Sequence, residues 1–136
     1  MFSFIRILNA PSNAIEPIKQ LTTAGVAYSY GALLTLTNGR LTHCTANDKP
    51  LFIAGETAGA DEKELITVYP ISPDMLFRAP TSSTPALLKI GSKLTLNIVD
   101  GVAVGVGGAS DSGVATLVDN RGAIRSGDQV TVRFDA

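Results

Sequence analysis

Charge is scarce in this sequence. Asp, Glu, Lys and Arg make up 17% of 136 residues and nearly cancel, leaving a net charge of −1. Such a chain is neither a disordered acidic segment nor a basic nucleic-acid binder, so electrostatics will not recruit its partner. Cysteine is scarcer still. Cys44 stands alone, which excludes a disulfide framework within these residues and a cysteine-based zinc site. Apolar runs are broken within a few residues by Gly, Thr or Asp, and none approaches the ~20 residues that a membrane-spanning helix requires. The start, Met1-Phe2-Ser3-Phe4-Ile5-Arg6, lacks a basic region leading into an apolar core, so it is not read as a signal peptide. The expected setting is a cytoplasm, or a particle assembled there.

Chemistry-bearing residues are equally sparse. General acid–base work calls for His or pocketed carboxylates, and His43 is the single histidine. It neighbours Cys44 on an expected strand, where successive side chains point to opposite faces, so the two do not form a nucleophile pair. The acidic group Glu56, Asp61, Glu62 and Glu64 sits in a Gly/Ala-containing stretch with Lys63 and lacks the alternating ligand spacing of a calcium loop. The run Gly105-Val106-Gly107-Gly108-Ala109-Ser110-Asp111-Ser112-Gly113 contains Gly-x-Gly but has Ser110 where a dinucleotide fingerprint has its third glycine, and it has no P-loop lysine. It reads as a flexible loop. No catalytic, metal or cofactor-binding residue is assigned, and no cofactor is expected. Aromatics are few and not interleaved with basic residues, which argues against nucleic acid as a partner.

What the sequence does have is β pattern. Gly and Pro punctuate it every eight to twelve residues or so, with short runs of Val, Ile, Leu and Thr between, the mark of a barrel or sandwich. Leu33 to Thr37 and Arg40 to Thr45 flank Asn38-Gly39, and Lys93 to Val99 and Val102 to Val106 flank Asp100-Gly101; both dipeptides suit tight hairpin turns. In the second hairpin Leu94, Leu96 and Ile98 alternate with Lys93, Thr95 and Asn97. Its return strand alternates Val102, Val104 and Val106 with Ala103 and Gly105, leaving an outer face bare enough for another backbone to approach. Further strands are expected at 64–69, 113–118 and 129–134. The best helical candidate, Asn13 to Leu21, is limited by Pro17 to a turn or two.

The hairpins also resemble each other. Gly31 to Gly39 contains Leu34-Thr35-Leu36, Gly91 to Gly101 contains Leu94-Thr95-Leu96, and Thr67-Val68-Tyr69 is answered by Thr131-Val132-Arg133. This reads either as two duplicated halves, about 31–70 and 91–134, or as Leu-Thr and Asn-Gly usage common to any hairpin. The expected fold is all-β: a single barrel or sandwich body over 25–136, with residues 1–24 an extended N-terminal arm or a first strand. An arm would bury its apolar patch, Phe2, Phe4, Ile5, Ile7 and Leu8, on a neighbour, and these are the candidate partner-binding residues.

From Thr23-Ala24-Gly25 onward the texture resembles that of tailed-phage capsid decoration (cement) proteins. The carrying features are Gly31-Ala32-Leu33-Leu34-Thr35-Leu36, the paired glycine turns, and the closing Gly127-Asp128-Gln129-Val130-Thr131-Val132-Arg133-Phe134. The resemblance implies a β-barrel or β-tulip body on the exterior of a virion, made in the host cytoplasm. It implies that the body bridges copies of the major capsid protein, as a homo-oligomer with a trimer favoured, and has no enzymatic activity, nucleic acid or membrane. Other small β-rich phage subunits, of the tail tube or of head completion, share this texture. A monomeric carbohydrate- or nucleotide-binding barrel and an enzyme with a site assembled between subunits are the alternatives from other classes.

Overall fold

The computed structural model describes residues 2–7, 16–82, 89–120 and 126–134, and over these the chain is all-β. The strands are β1 (Ser3–Ile7), β2 (Ile18–Leu21), β3 (Leu33–Thr37), β4 (Arg40–His43), β5 (Phe52–Ala54) and β6 (Leu65–Pro70). They continue with β7 (Met75–Pro80), β8 (Lys93–Val99), β9 (Val102–Ala109), β10 (Ala115–Asp119) and β11 (Gln129–Phe134). Turn chemistry sets both expected hairpins. Asn38 and Gly39 have φ 53° and 77°, and Asp100 and Gly101 have φ 52° and 80°, the left-handed pair that a two-residue loop matched to strand twist requires.

One sheet has the order β2-β6-β5-β3-β4 and the other β1-β7-β11-β10-β8-β9, with antiparallel neighbours throughout. Without β1, the second order is the first repeated with each strand five places on. The register repeats as well. Ile18↔Val68 and Leu21↔Leu65 between β2 and β6 match Phe77↔Val132 and Pro80↔Gln129 between β7 and β11. Leu34↔Phe52 matches Leu94↔Ala115.

Each matching set of five strands also curls until its outer strands meet, β2 with β4 through a parallel bridge Thr22↔Leu41 and β7 with β9 through Thr81↔Val106. The two closures are held differently. The Arg40 guanidinium donates to the Thr22 carbonyl at 2.9 Å, whereas at the matching place Gly105 lets the Pro80 carbonyl come so close that a Cβ would collide with it. The close backbone approach expected of β9 therefore occurs, with β7 as the approaching strand. The expected facing of β9 does not hold throughout. The pairing slips between Asn97 and Ile98, an extra residue that turns Ala103 inward with Val106, and both are fully buried.

Two apolar cores result. Tyr28, Leu34, Leu41, Ala54, Ile66 and Val68 fill the first sheet, while Phe77, Leu94, Leu96, Leu117, Val130, Val132 and Phe134 fill the second. Leu33, Cys44 and Ile53, from the opposite face of the first sheet, join the second core. The β3–β5 wall is thus covered on both sides.

At the start of the chain the helical expectation is corrected, and of arm or first strand the described residues take the strand. The helical candidate over 13–21 is, at Ile18–Leu21, a strand paired with β6, where its backbone groups are satisfied by a ladder that Pro17 does not interrupt; residues 13–15 lie outside those described. Nor do residues 2–7 leave the body. β1 pairs antiparallel with β7, and Phe2 is buried at 2% exposure, its ring 5.6 Å from that of Phe134, which lies 5.2 Å from Phe77. A buried ring gains more from this apolar cluster than from a solvated arm. Phe2→Ala is expected to destabilise the fold by about 3–5 kcal/mol in urea unfolding; unchanged stability would mean that the segment is not part of the core.

Candidate functional site

The folded chain separates the residues on which chemistry could have rested. Cys44 is 1% exposed and faces the second core, where burial, reinforced by the Asp48 carboxylate, pushes its thiol up to about 12. His43 points the other way, its Nε2 2.7 Å from the Ala27 carbonyl and its ring stacked on Tyr28 at 5.6 Å. The Nε2–H donates to that carbonyl, so the ring serves as a brace. Tyr28 extends this brace: its hydroxyl donates to the Leu41 carbonyl at 2.8 Å and accepts from the Thr23 N–H at 2.9 Å. No group of three or more His, Cys, Asp or Glu that could hold a metal occurs among the described residues.

Three of the four carboxylates between β5 and β6, those of Glu56, Asp61 and Glu62, are engaged in holding the fold. Asp61 accepts from the Gly25 N–H and Glu62 from the Gly59 N–H, at 2.9 and 2.6 Å. Glu56 accepts from the Lys63 ammonium, from the Thr67 N–H at 2.8 Å and from the Lys19 ammonium at 3.4 Å. These donors, Lys63 foremost and Thr67 next, bring its carboxyl down to about 2, and the same pair raises Lys63. The glycine-rich run expected as a loop is one only beyond Ala109: Gly105, Gly107 and Gly108 lie within β9, held by pairing of Leu96 with Val106 and of Leu94 with Ala109. The recesses on the described surface differ in lining, and the most apolar, of about 110 Å³, lies between Pro50, Leu51, Ile71, Pro73 and Phe134. One of about 300 Å³ is lined by Ser92, Lys93, Ala109, Ser110 and Asp111, without the apolar walls that enclose a small ligand.

What the surface offers instead is isolated apolar side chains and a sheet edge. Tyr30 and Ile90 are 65% and 64% exposed, followed by Val99 at 48% and Leu65 at 46%. β1 forms the end of its sheet, five residues long with a register slip between Phe4 and Arg6. Of the candidate partner-binding residues, Phe2 is in the core. The side chains of Phe4, Ile5 and Ile7, and all of Leu8, lie outside what is described.

Comparison of the three-dimensional architecture finds a similar fold. The solved structure of the head fiber gp8.5 N base in bacteriophage phi29 matches with a TM-score of 0.57 and 16% identity, over 88% of this chain and 95% of that one. The fold is shared with a phage head fiber base. No protein-family model matches the sequence, and no curated protein sequence does. At 16% identity the likeness is one of architecture, and it spans both curled sheets rather than one of them.

Two consequences follow for the groups above. Because the Glu56 carboxyl lies below its ordinary 4.5 in the folded chain, its contribution is complete above that value and disappears as the pH falls through about 2. Glu56→Gln is expected to lower the melting temperature at pH 7, and the gap from the unaltered chain should shrink steadily in melts between pH 4.5 and 2. The Cys44 thiol should react with an aromatic disulfide reagent at pH 8 at least about a hundredfold more slowly in the native chain than in denaturant; equal rates would mean that the thiol is not shielded.

Proposed function

We propose that this chain is a structural protein of a phage head, seated on the exterior of the shell, where it binds and stabilises neighbouring copies of the major capsid protein. The observation that carries the reading is the match to a head fiber base over 88% of the chain. The chemistry of the described residues supports it. Histidine and cysteine are spent on bracing and packing, and the Glu56, Asp61 and Glu62 carboxylates are spent on holding the fold.

A low-charge body of this size gains from a shell what no single contact supplies. The shell displays the same surface many times, so contacts of modest affinity become effective when several copies, or several parts of one copy, engage together. Self-association into a trimer would add to this and belongs to the same proposal. The arm mechanism does not, because Phe2 is held in the core.

Shells purified without the protein provide the test. Saturable co-sedimentation, with bound density on the outer surface in electron micrographs and a higher temperature of shell disruption, is the expected result. Absence of binding, or density confined to the tail or the interior, would overturn the reading.

A further inference from the structure

Of the large apolar side chains exposed among the described residues, the two most exposed, Tyr30 and Ile90, occupy matching positions in the two curled sheets. The match is one of backbone. Tyr30 is followed by Gly31 with φ 85° and Ile90 by Gly91 with φ 89°. Each pair forms the apex of a turn closed by an equivalent hydrogen bond, Ala32 N–H to Ser29 O and Ser92 N–H to Lys89 O, both 3.0 Å. This is the geometry of a type II turn with glycine at its third position. Each glycine N–H then ties the turn to the same place in its sheet, Gly31 to the Ala54 carbonyl at 2.9 Å and Gly91 to the Leu117 carbonyl at 2.8 Å. The strands return the bond, from Ala54 N–H to Ala32 O and from Leu117 N–H to Ser92 O, both 2.9 Å.

Among the other exposed apolar residues, Leu51 is matched by the partly buried Val114, their N–H groups bonding the Leu34 and Leu94 carbonyls, and Leu65 and Ile18 have no exposed apolar counterpart. By register, Leu65 corresponds to Gln129 and Ile18 to the buried Phe77. A β-branched or aromatic side chain left two-thirds in water gains nothing for folding at either turn, and the anchoring hydrogen bonds hold both rigidly, so little conformational entropy is lost on contact. The retention of this one feature at both places, while its surroundings diverge, points to use.

We infer that Tyr30 and Ile90 are paired contact knobs, and that the partner presents the same small apolar recess at least twice, as adjacent identical subunits of a regular protein shell do. The inference rests on the shell-binding reading above and specifies its contact. A recess shaped for one large apolar side chain accepts Tyr or Ile with modest preference, which explains why the two turns carry different residues. Two knobs on one rigid body engage two subunits at once and hold them together.

The test uses the full chain and shells of its phage prepared without it, with four variants: Tyr30→Ser, Ile90→Ser, both together, and the exchange Tyr30→Ile/Ile90→Tyr. Both sites are exposed, so melting temperatures should stay near that of the unaltered chain. Each single variant is expected to weaken shell binding by about tenfold or more, the double variant more than either, and the exchange only a few-fold. Loss from one single variant alone, or from neither, overturns the inference while leaving the shell-binding reading intact. A change in the sedimenting mass of the free chain on Tyr30→Ser/Ile90→Ser also overturns it, because the knobs would then join copies of this chain. Failure of the unaltered chain to bind shells removes the reading and the inference together.

Discussion

The β3–β5 wall, buried on both faces, is the constraint on which the rest of the structure depends. Leu33 and Leu34 are consecutive and both fully buried, yet they belong to different cores. Alternation along a strand makes this possible only if each face of the first sheet is covered, one by its own curl and the other by the second sheet. Cys44 and Ile53 extend the wall on the outward side, and Val102 of β9 reaches back to the first core. Neither half can therefore be peeled away without baring apolar surface, and β1, with Phe2 against Phe134, secures the outer side of the same core.

Curling rather than stacking is what lets so small a chain bury two cores. A five-stranded sheet that closes on itself encloses its inner face with its own strands, and its loose edges are the short stretches that the Thr22 and Thr81 bridges close. The closures need two backbones to meet at an angle, and each solves the steric problem locally, by a side chain that reaches across from Arg40 or by the missing side chain of Gly105. Gly113 makes a similar allowance where the chain passes over the Leu94 backbone, whose atoms lie 2.6–2.7 Å from where a Cβ would be.

Local chemistry was legible in the sequence, and long-range chemistry was not. Asn38-Gly39 and Asp100-Gly101 announced their hairpins because a two-residue turn is decided by the residues within it. The alternation of Leu94 and Leu96 with Lys93 likewise announced which face of β8 is buried. The pairing of β1 with β7 was hidden, because its partner lies some seventy residues away in the chain and an apolar strand reads the same on a sheet edge as in an arm. The slip in β9 was hidden too, since the extra residue depends on how β8 and β9 twist together. A signal for the double-faced wall was present in the unbroken run Ala32-Leu33-Leu34, which suits a strand covered on both sides. The exposed turns lie one residue outside the likeness between the hairpins, which begins at Gly31 and Gly91, and the informative side chains are those just before.

Architecture also narrows how such a body can recognise anything. Strand addition to a partner needs a flat, open edge of several residues, and here the edges of both curled sheets are drawn together while β1, the one outer strand, is short and slips its register midway. Those are the features by which β proteins avoid edge-to-edge association. The apolar recess beside Phe134 has a volume of about 110 Å³, small for a ligand pocket, and the roomier ones are open and partly polar. Among the described residues there remain side chains carried outward on turns, and at Tyr30 and Ile90 the following glycine is hydrogen-bonded into a sheet. A closed β body with rigid apolar turns is suited to gripping a fixed surface and unsuited to following a flexible one, and a regular protein shell is a surface of the first kind.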